Sequence, residues 1–173
     1  MWLEIGFGGG EHLAWQAAAH PGVGCIGCEA YVNGIAKLLA AVEDHGLDNV
    51  RIHDGDAREL VADLGDATIG RIFLLFPDPW PKRRHHKRRI VTPTMLGEFH
   101  RILKPGGTLR FASDSCDYVA WTLIHVRAHG GFEWLAETPR DWRERPADWP
   151  ETRYEAKARA ERRKPAFLTF QRL

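Results

Sequence analysis

The segment Phe76-Pro-Asp-Pro-Trp-Pro-Lys-Arg-Arg-His-His-Lys-Arg-Arg89 concentrates more chemistry than any other part of the chain. One carboxylate, Asp78, stands between two prolines, and an indole, Trp80, follows directly. Six Lys or Arg and two His then fill the eight positions Lys82, Arg83, Arg84, His85, His86, Lys87, Arg88 and Arg89. Proline fixes φ and removes an amide donor, so the segment is stiff and non-helical at its start. A stiff loop bearing an acid and an aromatic ring suits the holding of a flat heterocycle. A dense cationic run beside it suits a phosphate backbone. The plainer alternative is a solvated charged loop. Such a loop has no use for the Pro-Asp-Pro-Trp-Pro lead-in.

A second constellation is Glu4-Ile-Gly-Phe-Gly-Gly-Gly10, an E-x-G-x-G-x-G run with Gly6, Gly8 and Gly10 in alternation. Glycine lets backbone approach a ligand closely. A dinucleotide fingerprint needs G-x-G-x-x-G. Counting from Gly6 puts Glu11 at the third position, and from Gly8 puts Leu13 there, so that spacing fails. An acid two residues before the first glycine resembles instead the S-adenosylmethionine motif of class I methyltransferases. Two further acids fit such a ligand. Glu29 ends an expected second strand, where a carboxylate can accept both ribose hydroxyls. Asp56 follows an expected third strand, where it can accept from the adenine amine while the Ala57 amide donates to the ring. Singly, each acid is more often a cap or a surface charge. Three in register after successive strands favour a ligand site.

The elements that must position these residues follow from periodicity. Trp2–Ile5 reads as a strand, His12–His20 as a helix and Gly24–Cys28 as a strand. Val32–His45 reads as a helix with Ile35, Leu38, Leu39 and Val42 on one face. Val50–His53 is an expected strand. Ile69–Phe76 is the most continuous apolar run, as expected of a central parallel strand. Thr94–Leu103 is an expected helix, stopped by Lys-Pro-Gly-Gly at 104–107. Thr108–Ala112 is a strand, Asp117–His129 a helix, and Phe132–Leu135 with Ala166–Arg172 a closing pair of strands. The intervening Thr138–Lys164, rich in Trp, Pro and Arg, reads as a long irregular loop, a usual carrier of function. The alternation predicts one α/β domain over residues 1–173. It is doubly wound, with a mostly parallel seven-stranded, Rossmann-like sheet, helices on both faces, and its site at the strands' carboxyl ends. The chain starts almost inside its first strand, so an N-terminal extension is expected to be missing.

Composition narrows the class. A 173-residue chain with 44% hydrophobic and 27% charged residues is ordinary for a soluble domain. Net charge is only +1, yet the bases cluster at Lys82–Arg89 and Arg153–Lys164 while acids sit at strand ends. That segregation suits a polyanion delivered to a polar pocket. Three cysteines, no secretory signal and no apolar run near 18 residues argue for the cytoplasm and against a membrane. Cys25 and Cys28 have C-x-x-C spacing but no second pair, and strand positions three apart face opposite sides. Buried thiols are therefore expected rather than a metal site.

Taken together, the Gly loop and the Phe76–Arg89 segment resemble the tRNA (guanine-N7-)-methyltransferases over nearly the whole chain. Thr152-Arg-Tyr-Glu155, followed by Lys157 and Arg159, is similar to a second signature of that family, and Phe111-Ala-Ser-Asp114 to a third. The resemblance implies S-adenosylmethionine as methyl donor and a tRNA partner. It implies that Glu4, Glu29, Asp56 and Asp78 contact the cofactor or catalytic centre. It also implies that Lys82, Asp114, Thr152, Arg153, Tyr154 and Glu155 contact the substrate. The Lys82–Arg89 side chains would bind RNA phosphates, with His85 and His86 as hydrogen-bond donors. A monomer or a homodimer is compatible with the chain.

The chemistry asks for no strong base. Guanine N7 has an in-plane lone pair, so alignment, exclusion of water and tolerance of a cationic product decide the rate. Asp78 is the best placed carboxylate to accept from the guanine N1–H and exocyclic amine, with Asp114 next. Trp80 suits stacking on an extruded base. Two competing readings are an amino-group methyltransferase, since Pro-Asp-Pro-Trp resembles an Asn/Asp-Pro-Pro-aromatic motif, and a non-catalytic RNA-binding module. The basic run and Thr152–Glu155 count against the first, and the intact Gly loop with Glu29 and Asp56 against the second.

Overall fold

Seven strands form one sheet in the order β3-β2-β1-β4-β5-β7-β6. The computed structural model describes every residue from Met1 to Leu173. β1 (Trp2–Ile5), β2 (Cys25–Cys28), β3 (Val50–His53), β4 (Ile69–Leu75) and β5 (Leu103–Ser113) run parallel. β7 (Ala166–Arg172) enters antiparallel between β5 and β6 (Phe132–Trp134). The expected class and the seven strands are therefore present. Strand order reverses between β1 and β4, and an open α/β sheet forms its ligand crevice at that switch point.

Helices α1 (Glu11–Ala19), α2 (Val32–Asp44), α3 (Ala57–Asp63), α4 (Pro93–Ile102) and α5 (Cys116–His129) follow the first five strands. Local chemistry sets several starts. Asp56 caps α3, Thr92 caps α4 with Pro93 just inside, and Ser115 caps α5. Gly130, with φ 73°, ends α5 in the left-handed conformation that favours glycine. The main apolar core joins β1, β4, β5 and β7 to α3, α4 and α5, and includes Leu3, Ile72, Leu96, Phe99, Phe111 and Leu168. A smaller core on the other face holds Phe7, Leu13, Leu38 and Val50. Cys28 belongs to the first and Cys25 to the second, as alternation in a strand requires. Both thiols are buried, and burial pushes each up to about 11.

Three readings of the sequence need correction. The Lys-Pro-Gly-Gly stop lies inside β5: Ile69 pairs with Leu103 and Arg71 with Thr108, so residues 104–107 form a bulge in one long strand. α3 was not expected, because seven residues with only Ala57 and Val61 buried carry little periodicity. Finally, 138–164 is not all irregular. It contains the short α6 (Arg140–Arg143) and α7 (Arg153–Ala160). In α7 only Glu155 and Ala158 are buried, so no apolar stripe marks it.

Candidate active site

The carboxyl ends of β1, β2, β3 and β4 open into a cleft of about 590 Å³. Ile5 at the end of β1 lines it with Gly6 and Gly8 of the following loop, and Glu29, Ala30 and Tyr31 line it after β2. Asp56 lines it after β3 with Ala57 and Arg58 at the start of α3, and Phe76, Pro77, Asp78 and Trp80 line it after β4. Arg88, Ile90 and Tyr154 also line it. Of the expected cofactor residues, Gly6, Gly8, Glu29, Asp56, Ala57 and Asp78 thus meet in one cavity.

Glu29 organises the first two loops. Its Oε2 accepts the Gly8 N–H at 2.9 Å and its Oε1 the Tyr31 N–H at 3.0 Å. Each carboxylate oxygen keeps a further acceptor site for a ligand hydroxyl. Gly8 has φ 58°, and a Cβ there would stand 3.0 Å from the Tyr154 ring, so both backbone and space require glycine. Asp56 has a structural duty as well. Its Oδ1 accepts the Arg58 N–H at 2.8 Å, and the Arg58 guanidinium closes on both oxygens at 3.2 Å.

Two members of the Gly motif serve the scaffold instead of the cleft. Glu4 is only 3% exposed and accepts from His12 Nδ1 at 2.6 Å. His12 Nε2 in turn accepts from Gln16, whose amide also donates to the Asp148 carbonyl. A buried carboxylate needs such a partner, and Glu4 has it inside the protein. Gly10 sits at the start of α1 with φ 81°, and a Cβ there would lie 2.7 Å from Leu38. It shapes the turn and packs against α2. Gly34, which sequence reasoning passed over, is closer still to the site. A Cβ on it would meet the Gly8 carbonyl oxygen at 2.0 Å.

Asp78 is exposed in the cleft, and Trp80 forms its neighbouring wall. Both flanking non-glycine residues are left-handed, Phe76 at φ 51° and Trp80 at φ 43°. Such residues are costly and cluster where function fixes the backbone. The basic run forms a 3₁₀ segment, Arg83–Arg88, in which Arg83, Arg84, Lys87 and Arg88 are exposed and His85 and His86 half-buried. The Arg88 guanidinium, exposed, lies 4.8 Å from the Trp80 ring centroid inside the cleft. Arg89 departs from the expected phosphate role. It is fully buried and bonded to the Pro79 carbonyl and to Asp117, so it is no RNA ligand. That bond to Arg89 holds the Asp117 carboxyl below the usual range.

The other expected substrate residues separate. Tyr154 lines the cleft, and Arg153 stands beside it at Gly8, its guanidinium 3.0 Å from the Tyr154 hydroxyl. Thr152 and Glu155 do neither. Thr-x-x-Glu is also capping-box spacing, and Thr152 Oγ1 accepts the Glu155 N–H at 3.2 Å to start α7. Glu155 is 1% exposed and pairs with Arg145 at 3.1 Å and Arg159 at 2.6 Å. Burial raises its carboxyl pKa despite both partners. Asp114 lies outside the cleft wall, half-buried and paired with Arg163 at 2.5 Å. Lys82 is an exposed residue at the head of the 3₁₀ segment.

Sheet order, switch-point cleft and Gly loop define a class I S-adenosylmethionine-dependent methyltransferase. Solved structures share the fold: an rRNA methylase from Streptococcus thermophilus has a TM-score of 0.64 at 13% identity, covering 99% of this chain and 87% of that one. A SAM-dependent methyltransferase from Aquifex aeolicus also scores 0.64, at 14% identity, covering 99% and 81%. The family described as putative methyltransferase matches residues 1–168. Sequence relatives are closer. The tRNA (guanine-N(7)-)-methyltransferase of Rhodospirillum rubrum is 57% identical over 172 residues, 99% of this chain and 68% of the relative. The protein of that name from Ruegeria pomeroyi is 58% identical over 172 residues, 99% and 72%. The chain belongs to the tRNA (guanine-N(7)-)-methyltransferase family, and its methyl donor is S-adenosylmethionine.

The residues present fit that donor. A carboxylate with free acceptor sites faces the cleft at Glu29, and open space lies over Gly6, where a Cβ would meet nothing within 4 Å. Glu29→Ala removes the ribose acceptor and both amide ties at once. Hydrogen bonds to a charged group are worth roughly 1.5–3 kcal/mol, so affinity for S-adenosylmethionine should fall about 10- to 150-fold by calorimetry. Unchanged affinity would remove Glu29 from the site.

Proposed function

We propose that the chain transfers the methyl group of S-adenosylmethionine to N7 of a guanine in the variable loop of tRNA. The observation that carries this reading is the meeting of Asp78 and Trp80 with Gly6, Glu29 and Asp56 in one cleft, with exposed cations just outside. When bound, the cofactor supplies an electrophilic sulfonium methyl. Asp78 accepts from the guanine N1–H and exocyclic amine, and its charge favours the cationic methylated ring. Asp114 is less suited, because Arg163 already occupies it. Trp80, backed by Arg88, stacks on the extruded base. No residue needs to take a proton before attack.

Nucleoside mass spectrometry after incubation of tRNA with the protein and S-adenosylmethionine tests the reaction. 7-Methylguanosine is the expected product, lost when the variable-loop guanine is replaced. An amino-methylated adenine or cytosine would favour the other enzyme class instead, and no product at all would leave an RNA-binding module.

The exposed Lys82, Arg83, Arg84 and Lys87 have no ion pairs, and neither have Lys157 in α7 and Arg162 and Lys164 just beyond it. Each phosphate neutralised adds about 0.9 to the log–log salt slope on a duplex. Replacing Arg83, Arg84 and Lys87 by alanine should therefore flatten the slope for tRNA by roughly 2 to 3. A slope equal to the parent's would show that this face does not touch RNA.

A further inference from the structure

Arg89 closes the basic run, yet its side chain is 0% exposed. Its Nε donates at 2.9 Å to the carbonyl of Pro79, the residue between Asp78 and Trp80. Its Nη2 bonds to Asp117 in the first turn of α5. The guanidinium carbon lies 4.8 Å from the Tyr118 ring centroid and 4.9 Å from that of Trp121. The same two rings fix the chain beyond Arg89: the Tyr118 hydroxyl accepts the Val91 N–H at 3.4 Å, and Trp121 Nε1 donates to the Val91 carbonyl at 2.7 Å. His86 packs edge-on against Trp121 at 5.3 Å. One face of α5 therefore clasps the end of the basic run, and Arg89 reaches back from that clasp to the active loop.

That loop needs restraint. Its left-handed residues Phe76 and Trp80 cost on the order of 1–3 kcal/mol each and persist only where surroundings impose them. The Arg89 bond falls on the carbonyl one residue before Trp80 and one after Asp78. A lysine could carry the charge but could not bond Pro79 and Asp117 in a fixed fork while lying over two rings.

We infer that Arg89 is a positioning residue for methyl transfer, holding Asp78 and Trp80 at the reacting atoms from behind the cleft. The inference rests on the role proposed for Asp78. It also joins the loop after β4 to the helix after β5, so two strand ends share one buried cation.

Arg89→Lys and Asp117→Asn test it in the full chain, with tRNA and S-adenosylmethionine as substrates. Misplacing a catalytic group by about 1 Å costs on the order of 100-fold, so Arg89→Lys should lower kcat by about that factor. Both KM values and the salt slope of tRNA binding should stay near those of the parent. Hydrogen exchange should quicken in the peptide covering residues 76–82 and stay unchanged in β1 and α1. Asp117→Asn should move the same quantities less far. Its side chain is 65% exposed, so this variant carries the comparison where Arg89→Lys does not fold. A parental kcat with a flattened salt slope would make Arg89 a phosphate ligand and overturn the inference. So would quickened exchange across the whole sheet with kcat intact per folded molecule, or unchanged exchange at 76–82. A parent chain that makes no 7-methylguanosine would overturn the functional reading separately, since the exchange comparison needs no activity.

Discussion

Replacing Asp78 by asparagine should cut methyl transfer about 100- to 1,000-fold while leaving S-adenosylmethionine affinity close to that of the parent chain. The exchange keeps the shape of the side chain and turns one acceptor oxygen into a donor. Both guanine groups facing it are donors, so one attraction becomes a repulsion, and the charge that favours a cationic product disappears. Asp78 makes no hydrogen bond that holds the Gly loop, whereas Glu29 holds Gly8 and Tyr31 directly. Cofactor binding should therefore survive. Single-turnover methylation beside a cofactor titration separates the two effects. Parental turnover in this variant would take Asp78 out of the mechanism.

Gly34→Ala should damage fold and cofactor site together, through one methyl group. The new carbon would stand 2.0 Å from the Gly8 carbonyl oxygen and 3.1 Å from its carbon, both backbone atoms that cannot rotate away. α2 and the Gly loop must separate. Overpacking of this kind costs typically 1–3 kcal/mol, which in a chain of this size lowers the melting temperature by roughly 2–12 °C. The displaced loop carries the Gly8 amide that Glu29 holds, so cofactor affinity should fall as well. Gly97→Ala is the control. It sits in α4 with nothing within 4 Å of an added Cβ, and alanine is the better helix former by about 1 kcal/mol. Melting curves with and without S-adenosylmethionine compare the two. Equal behaviour would show that α2 and the loop have room.

These two positions mark what the sequence discloses and what it hides. Asp78 is legible because prolines and an indole surround it with few competing explanations. Gly34 is not, since a glycine in a helical stretch signals nothing until the neighbouring backbone is in place. Strand ends were legible for the same reason as Asp78: Trp2–Ile5, Val50–His53 and Ala166–Arg172 agree residue for residue with the sheet. Residue type misled where one pattern serves two purposes. Thr152 and Glu155 form a helix start as readily as a substrate contact, and of α7 only Tyr154 lines the cleft. Glu4 sits in a ligand motif yet answers to His12. Arg89 continues a run of surface cations, but Tyr118, Trp121 and Asp117 draw it inward, and all three lie far along the chain. Tyr31, Arg58 and Ile90 enter the cleft by position alone, with no motif to announce them.

The placement of β7 bears on how the molecule is made. β5 and β6 pair with β7 and not with each other, as in Ser113 with Ala166 and Phe132 with Arg172. Every residue lining the cleft precedes β7 in the chain, Tyr154 being the last. During synthesis the whole catalytic apparatus is thus translated before its sheet can close. Over that interval β5, which carries Leu109, Phe111 and Ala112, presents an open hydrogen-bonding edge, the kind of surface on which chains pair wrongly. Such distant pairings also form late. A chain cut short before Ala166 would keep all of its cleft residues and be lost to aggregation rather than to chemistry.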